Sequence, residues 1–426
     1  MAAWPVDPDA LRALWRAGGD RPLAIAVSGG GDSLALLALL RLAEPTRPLL
    51  ALIVDHAIQP GSAHIAAEAA QRAHALGAHP IIRRLTWPGA AAADQASARQ
   101  GRYRALAEEA KAAGAAVIAI AHTRDDQAET ALIKAARSGR WGEGGMRPWS
   151  ALPVWPEGLG LWAARPLLDV SRAALRAWAT DVGLAWHEDP ANANEAYARV
   201  RARAILSANP ALSERLATHA ARAACAVGRR NAAAQAWINT VASFDEPQGG
   251  VALARLPTDR AGLRGLSVLL GAVAGDPHAA PPEAVARLVQ ALKHGATAQT
   301  LGGAMVRRRV NAFVISRDPG ALLGRSGVAP AAPQPLVPGA ALVVDARLWL
   351  STQATGYEVA VTPKAAWALR RHGHWIALNA ADDVTVQWLT AAHVRHVLGR
   401  RDGEAAAPFA SCDAGKGVQQ ALGLLS

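Results

Sequence analysis

The chain has 426 residues, enough for two or three domains with cores of their own, and an apolar content of 51% excludes a disordered protein. No uninterrupted apolar run reaches the length of a membrane span, and Met1 to Asp7 carries no basic stretch ahead of an apolar one, so a cytoplasmic protein without a membrane partner is expected. Net charge is +11, with only five of the 45 basic residues being Lys, a balance that fits a polyanionic partner; GC-rich codon usage explains the Arg and Ala richness equally well. Two cysteines exclude a disulfide framework, a Cys-x-x-Cys redox site, a cysteine zinc cage and an iron–sulfur cluster.

In chain order, Leu23 to Val27 predicts a strand and 33–44 a helix, and between them stands Ser28-Gly29-Gly30-Gly31-Asp32-Ser33. Three glycines permit a tight turn and bring several N–H groups to an anion, while the helix N-terminus adds unpaired donors and partial positive charge. Ser28 and Ser33 add hydroxyl donors. Asp32 suits a phosphate only with a divalent cation between them, so the loop predicts a magnesium–nucleotide complex. A Gly-rich turn with no ligand is the plain alternative.

Further strands are predicted at Leu49 to Val54, Pro80 to Leu85 and Ala115 to Ala121, with helices over 62–76, 94–113 and 124–137. This alternation predicts an α/β fold with a doubly wound parallel sheet, whose ligands bind beyond the carboxyl ends of the strands. The loop at Ser28 to Ser33, the pair Asp55-His56 and His122 then reach the same edge. After His122 comes Thr123-Arg124-Asp125-Asp126-Gln127-Ala128-Glu129-Thr130, which sets Asp126 and Glu129 on one helix face. Two such carboxylates can hold magnesium or a cationic substrate group; acids at a helix N-terminus can also serve the helix alone.

Beyond 195 the chain reads as mainly helical, closing on a strand pair at Ala304 to Ser316 that bears Arg307-Arg308-Arg309. A Pro- and Ala-rich stretch follows, then a module with Arg370-Arg371-His372-Gly373-His374-Trp375 and a basic run from His393 to Arg401. The expected organisation is a catalytic domain over 1–206, a mainly helical domain over 207–325, a linker over 326–340 and a small α+β domain over 341–426.

These residues resemble the N-type ATP pyrophosphatases of the PP-loop kind and, within them, the tRNA(Ile)-lysidine synthetase family. Ser28 to Ser33 is similar to the Ser-Gly-Gly-x-Asp-Ser signature, Asp55-His56 to an Asp-His pair, and Ala98 to Tyr103 to an Ala-Arg-x-x-Arg-Tyr element. His122 to Thr130 resembles the motif His-His-x-x-Asp-x-x-Glu-Thr, and Arg137 to Met146, Arg165 to Leu168 and Trp186 to Arg203 continue the likeness. Thr123, Ala191 and Val200 depart from it, standing where the family has His, Ser and Asn.

The resemblance implies an enzyme that joins L-lysine to C2 of the wobble cytidine of a CAU-anticodon tRNA(Ile), through an adenylated tRNA, with release of pyrophosphate and AMP. It implies ATP held by Ser28, Gly29, Gly30, Gly31, Asp32, Ser33, Asp55 and His56, and Mg2+ held by Asp32 and Asp126. Arg102 would stabilise charge near the adenylate. Glu129, with Asp126, would attract the lysine ammonium, and His122 would serve as the base. Arg199 and Arg203 would meet tRNA phosphates or the intermediate, both C-terminal domains would bind tRNA, and a homodimer is the assembly kept in view. The alternatives are another PP-loop tRNA-modifying activity, or a non-catalytic RNA-binding protein on the same fold.

Overall fold

Every residue of the first strand, β1 (Leu23–Val27), is buried, and its side chains feed two cores in alternation. Leu23, Ile25 and Val27 enter one, Ala24 and Ala26 the other. Apolar residues at successive positions are what a parallel strand covered on both faces requires. The computed structural model describes residues 3–58, 61–87, 95–138, 145–186, 198–276, 279–324, 329–364 and 366–399. In it β1 pairs in parallel with β2 (Leu49–Asp55), and β2 with β3 (His79–Arg84). On its other side β1 pairs with β4 (Val117–Ala119), followed by two short strands, β5 (Trp149–Ala151) and β6 (Trp162–Ala164). The order is β3-β2-β1-β4-β6-β5, parallel except for the edge strand β5.

One core is closed by α1 (Pro8–Gly18), α2 (Gly31–Ala43), α3 (Ser62–Ala75) and, later in the chain, α6 (Arg172–Asp181). The other is closed by α4 (Gln95–Ala112) through Tyr103, Leu106, Ala107 and Ala110. The doubly wound parallel sheet is therefore present. Its fourth strand is shorter than the apolar run at 115–121, and α1, β5, β6 and α6 were not expected. Because β2 and β4 flank β1 on opposite sides, the order reverses at β1, and a crevice opens past the carboxyl ends of β1 and β4.

Helix α5 (Arg124–Ser138) follows β4, and its Ala128 and Ala131 pack with Leu206 of α7 (Ala198–Ser207) and with Leu216, Ala217 and Ala220 of α8 (Pro210–Val241). That packing moves the first boundary. The chain divides into two compact units, one built on 1–229 and the other on 230–404, rather than parting at 206. A composition shift marks where Arg and Ala become frequent, whereas the apolar packing on α5 carries on through Ala220.

The second unit contains an antiparallel sheet of β7 (Ala242–Glu246), β8 (Gly250–Leu253), β9 (Ala298–Leu301), β10 (Ala304–Arg308) and β11 (Phe313–Arg317), in the order β7-β8-β11-β10-β9. It packs on α9 (Arg260–Ala274), α10 (Pro282–Lys293) and the end of α8. The segment expected to be mainly helical thus carries a five-stranded sheet as well. Two small sheets of four and three strands follow over 334–388 around Val344, Leu348, Leu350, Val359 and Leu369. The last described helix, α11 (Thr390–Leu398), sends Val394 and Leu398 back into the core built on α9. The described part of the 326–340 stretch lies inside the second unit. Of the segments named above, 139–144, 187–197 with Ala191, 325–328 and 400–426 lie outside the described residues. Among the described residues no helix is long and apolar enough to cross a membrane.

Candidate active site

The loop after β1 is held by its own serines. Ser33 Oγ donates to the Gly30 carbonyl at 2.9 Å and accepts from the Ser28 N–H at 3.2 Å, which closes 28–33 on itself. Gly29 has φ +83°, and a Cβ there would lie 3.2 Å from Ala69 of α3; at Gly31 a Cβ would meet the Trp186 ring at 3.2 Å. The left-handed conformation favours glycine at the first, and a side chain at either position would crowd its neighbour. Gly31 and Asp32 open α2, so the free N–H groups of its first turn lie at the crevice.

Across the crevice, Thr123 and Asp126 cap α5 reciprocally. Asp126 Oδ2 accepts from the Thr123 N–H at 2.8 Å and from its hydroxyl at 3.0 Å, while the Asp126 N–H faces Thr123 Oγ1 at 3.4 Å. Thr123, the departure from the family pattern, therefore fixes the carboxylate behind it. Asp126 Oδ1 remains turned to the crevice, where arginines meet it.

Arg172, the first residue of α6, joins the acids. Its Nε donates to Asp32 Oδ2 at 3.2 Å, Nη1 to Glu129 Oε1 at 3.0 Å and Nη2 to Asp126 Oδ1 at 2.9 Å, while its backbone N–H donates to Asp125 Oδ2 at 2.7 Å. Arg199 adds bonds to Glu129 Oε2 at 2.9 Å and Asp126 Oδ1 at 3.1 Å, and Arg203 donates to Glu129 Oε1 at 3.0 Å. Three carboxylates thus meet three guanidiniums, and the Glu129 side chain is only 2% exposed. Burial works against the charge on Arg172, but Asp126, Glu129 and Asp32 outweigh it and raise its pKa. Burial raises Asp32 despite the opposing charge of Arg172. One Asp32 oxygen, Oδ1, is buried without a hydrogen-bond partner.

The wall opposite is basic. Arg165 donates through Nε to His122 Nδ1 at 3.2 Å and through Nη1 to the Arg147 carbonyl and Ser150 Oγ, both at 3.0 Å. Burial first, then the charges of Arg165, Arg199, Arg102 and Arg99, hold His122 well below its ordinary pKa. The ring is neutral, its Nδ1 lone pair is engaged, and its Nε2 carries the proton. Nδ1 is thus already taken by Arg165, so any part His122 plays toward a substrate would run through Nε2. Burial and the Arg102 charge also lower His56, whose Nδ1 is buried without a partner. The charge of Arg102 is felt at both histidines, and burial lowers Arg102 itself. Asp55 Oδ1 accepts from the Ala57 N–H at 2.9 Å and supports the left-handed turn at Ala57, φ 53°.

Behind the acid cluster lies a pocket of about 250 Å³ lined by Asp125, Glu129 and Glu214 and by Arg124, Arg172 and Arg203. It offers both signs of charge within one cavity. Arg199 and Arg203, expected to meet tRNA phosphates or the intermediate, donate to Glu129 here. Arg172 and Arg165 were given no role in the sequence reading. Arg172 stands on the first turn of α6, where a cation opposes the helix dipole and needs acids to compensate it.

The profile of the PP-loop domain family matches residues 8–209, and with the loop-and-crevice geometry it defines the first unit as a PP-loop, ATP-using domain. A protein of Hyphomonas neptunium named tRNA(Ile)-lysidine synthase is 37% identical over 329 residues, 75% of this chain and 88% of that one. A Caulobacter vibrioides protein of the same name is 38% identical over 76% of this chain and 73% of its own. The chain belongs to the tRNA(Ile)-lysidine synthase family. Among solved structures, the U34-tRNA thiolase NcsA of Methanococcus maripaludis aligns with a TM-score of 0.38 at 18% identity over 49% of this chain and 76% of that one, a likeness too slight to build on.

Proposed function

We propose that this protein activates the C2 oxygen of the wobble cytidine of a CAU-anticodon tRNA(Ile) with ATP and then transfers L-lysine to C2. The observation that carries this reading is the meeting, at one sheet edge, of a phosphate loop with Asp32, Asp126 and Glu129 around the Arg172 guanidinium. The cytidine O2 attacks the α-phosphorus of ATP, pyrophosphate leaves, and O2 becomes part of a good leaving group. The lysine ε-amine then attacks C2, and AMP departs with the oxygen. A deprotonated amine is needed for this second step.

In this reading the N–H groups of 29–31 and the Ser28 hydroxyl grip the phosphates, and Asp55 and His56 line the nucleotide. Arg102 and Arg165 would offset the negative charge that grows on the phosphoryl oxygens, and His122 would donate from Nε2. The partnerless Asp32 oxygen is a hard donor beside the loop, and carboxylates completed by phosphate oxygens suit magnesium, so Asp32 and Asp126 would hold Mg2+. That ion would neutralise charge on the phosphates. The pocket behind Glu129 has the mixed charge that a free amino acid needs: guanidiniums for its carboxylate and Glu129, Asp125 or Glu214 for its ammonium groups. A cytoplasmic location follows from the tRNA substrate, and a homodimer remains the proposed assembly.

The test is mass spectrometry of tRNA nucleosides after incubation with ATP, magnesium and lysine, alongside pyrophosphate release. Lysidine in that digest is expected; pyrophosphate without lysidine would point to another PP-loop activity. Asp32→Ala and Asp126→Ala are each expected to abolish pyrophosphate release while tRNA affinity stays within a few-fold of the parent. Near-normal turnover in both would remove the magnesium assignment.

A further inference from the structure

Among the buried residues that form the core beneath α4, Tyr103 alone carries a polar side-chain atom. It is 5% exposed and packs with the same apolar group as Leu106 and Ala107. A phenylalanine would fill that space equally well, so the hydroxyl needs a reason of its own. Arg99, one turn earlier on α4, donates from Nη2 to the Tyr103 hydroxyl at 3.3 Å, and its guanidinium lies 5.0 Å from the centre of the Tyr103 ring. Arg165, which follows β6 and is 6% exposed, faces the same oxygen.

Arg165 is a buried cation among neutral acceptors. Its remaining bonds run to His122 Nδ1, the Arg147 carbonyl and Ser150 Oγ. Among the described residues no carboxylate pairs with it, nor with Arg99 or Arg102, whereas Arg172 across the crevice is answered by three. A guanidinium is planar and its donors form a fixed fork, so the acceptors around it set its plane and the Nε–H must follow. That Nε–H is the one on His122 Nδ1. Burial alone would raise the Tyr103 phenol, but the charges of Arg99, Arg165 and Arg102 outweigh it and set it below its ordinary pKa. A field that favours negative charge on the phenolic oxygen makes that oxygen a strong acceptor for the arginines.

We infer that Tyr103 is a positioning residue: its hydroxyl fixes the plane of the Arg165 guanidinium, and Arg165 in turn holds His122 with its proton on Nε2 at the crevice wall. The relay needs the phenolic oxygen and not merely the ring. For the step it serves, adenylate transfer, it rests on the proposed function; the relay itself does not. Loss of the hydroxyl frees Arg165 to turn and His122 to exchange tautomers, and it leaves the phosphate loop untouched. The rate at saturating substrate falls, and ATP binding stays.

The experiment compares the full-length parent with Tyr103→Phe, and uses His122→Asn to assign the His122 ring among the 13 histidines. Nitrogen-15 spectra of the histidine rings read the tautomer in the free protein. The parent is expected to hold His122 in the Nε2–H form, and Tyr103→Phe to show a mixture of both forms. Pyrophosphate release with ATP, magnesium and a tRNA(Ile) transcript should lose about tenfold in kcat, with KM for ATP within about twofold of the parent. A parent ring with its proton on Nδ1 would overturn the relay, whether or not the variant folds. So would an unchanged His122 spectrum or an unchanged kcat in a folded Tyr103→Phe, either of which would leave Tyr103 a packing residue. If the tautomer shifts in the variant but the parent releases no pyrophosphate, the proposed function falls and the relay stands.

Discussion

At the scale of single residues, Arg172 carries the greatest electrostatic weight. Its guanidinium touches three carboxylates, and its side chain is 13% exposed. Deleting one partner of a buried ion pair costs about 3–5 kcal/mol because the other charge is left behind. Arg199 and Arg203 stay on the acids, so Arg172→Met is expected at the lower end, about 3 kcal/mol, by urea unfolding. Arg172→Lys should recover part of it. A loss under about 0.5 kcal/mol, the size of an ordinary surface substitution, would mean that Arg199 and Arg203 satisfy the acids by themselves. The acids were legible because Asp126 and Glu129 sit three apart on one helix. Their arginine was not, because its partners lie 140, 46 and 43 positions away and no local spacing encodes that meeting.

At the scale of elements, two short devices aim the chemistry. The Thr123–Asp126 box starts α5 and turns one carboxylate oxygen to the crevice. The 28–33 loop starts α2 and depends on glycine at 29. Gly29→Ala puts a Cβ into a left-handed conformation and 3.2 Å from Ala69. We expect it to cost about 1–2 kcal/mol and, by moving the loop N–H groups, to raise KM for ATP at least about tenfold with KM for lysine unchanged. Isothermal titration with ATP together with thermal melts checks both parts, and an unchanged ATP affinity would mean that the loop does not hold the phosphates. The loop and its flanking strand and helix were readable because the change of hydrophobic period is local. Strands β5 and β6, three residues each, leave too little period to read and are defined by pairing to β4 and to each other.

For the whole molecule, the second unit is bound together by a returning helix. His393 of α11 is 1% exposed, and burial, then the neighbouring His396, lower its pKa to about 3, while the Ala272 carbonyl pulls the other way. A histidine whose folded pKa lies below its unfolded value binds more protons when unfolded, so stability rises with pH across that interval. The contribution is whole above the ordinary pKa of 6.5 and falls away as pH drops toward 3. The expected slope is at most about 1.4 kcal/mol per pH unit. Urea unfolding of the second unit between pH 7 and pH 4 measures it, and His393→Leu should flatten that part of the curve; an unchanged slope would assign the pH dependence to other groups.

Local pattern alone determined the doubly wound sheet, the phosphate loop, the Asp126–Glu129 pair and the strand pair bearing Arg307 to Arg309. Each is written in neighbouring residues, through a period, a run of glycines or a three-residue spacing. Only the tertiary structure decided which cations those acids hold, that His122 accepts from Arg165, that the first unit runs on to 229, and that Arg370 and Arg371 are neutralised while Arg307 and Arg309 are not. The reason is physical: an ion pair or a shared core depends on distance in space, and the chain brings together residues whose separation in sequence carries no record of their contact.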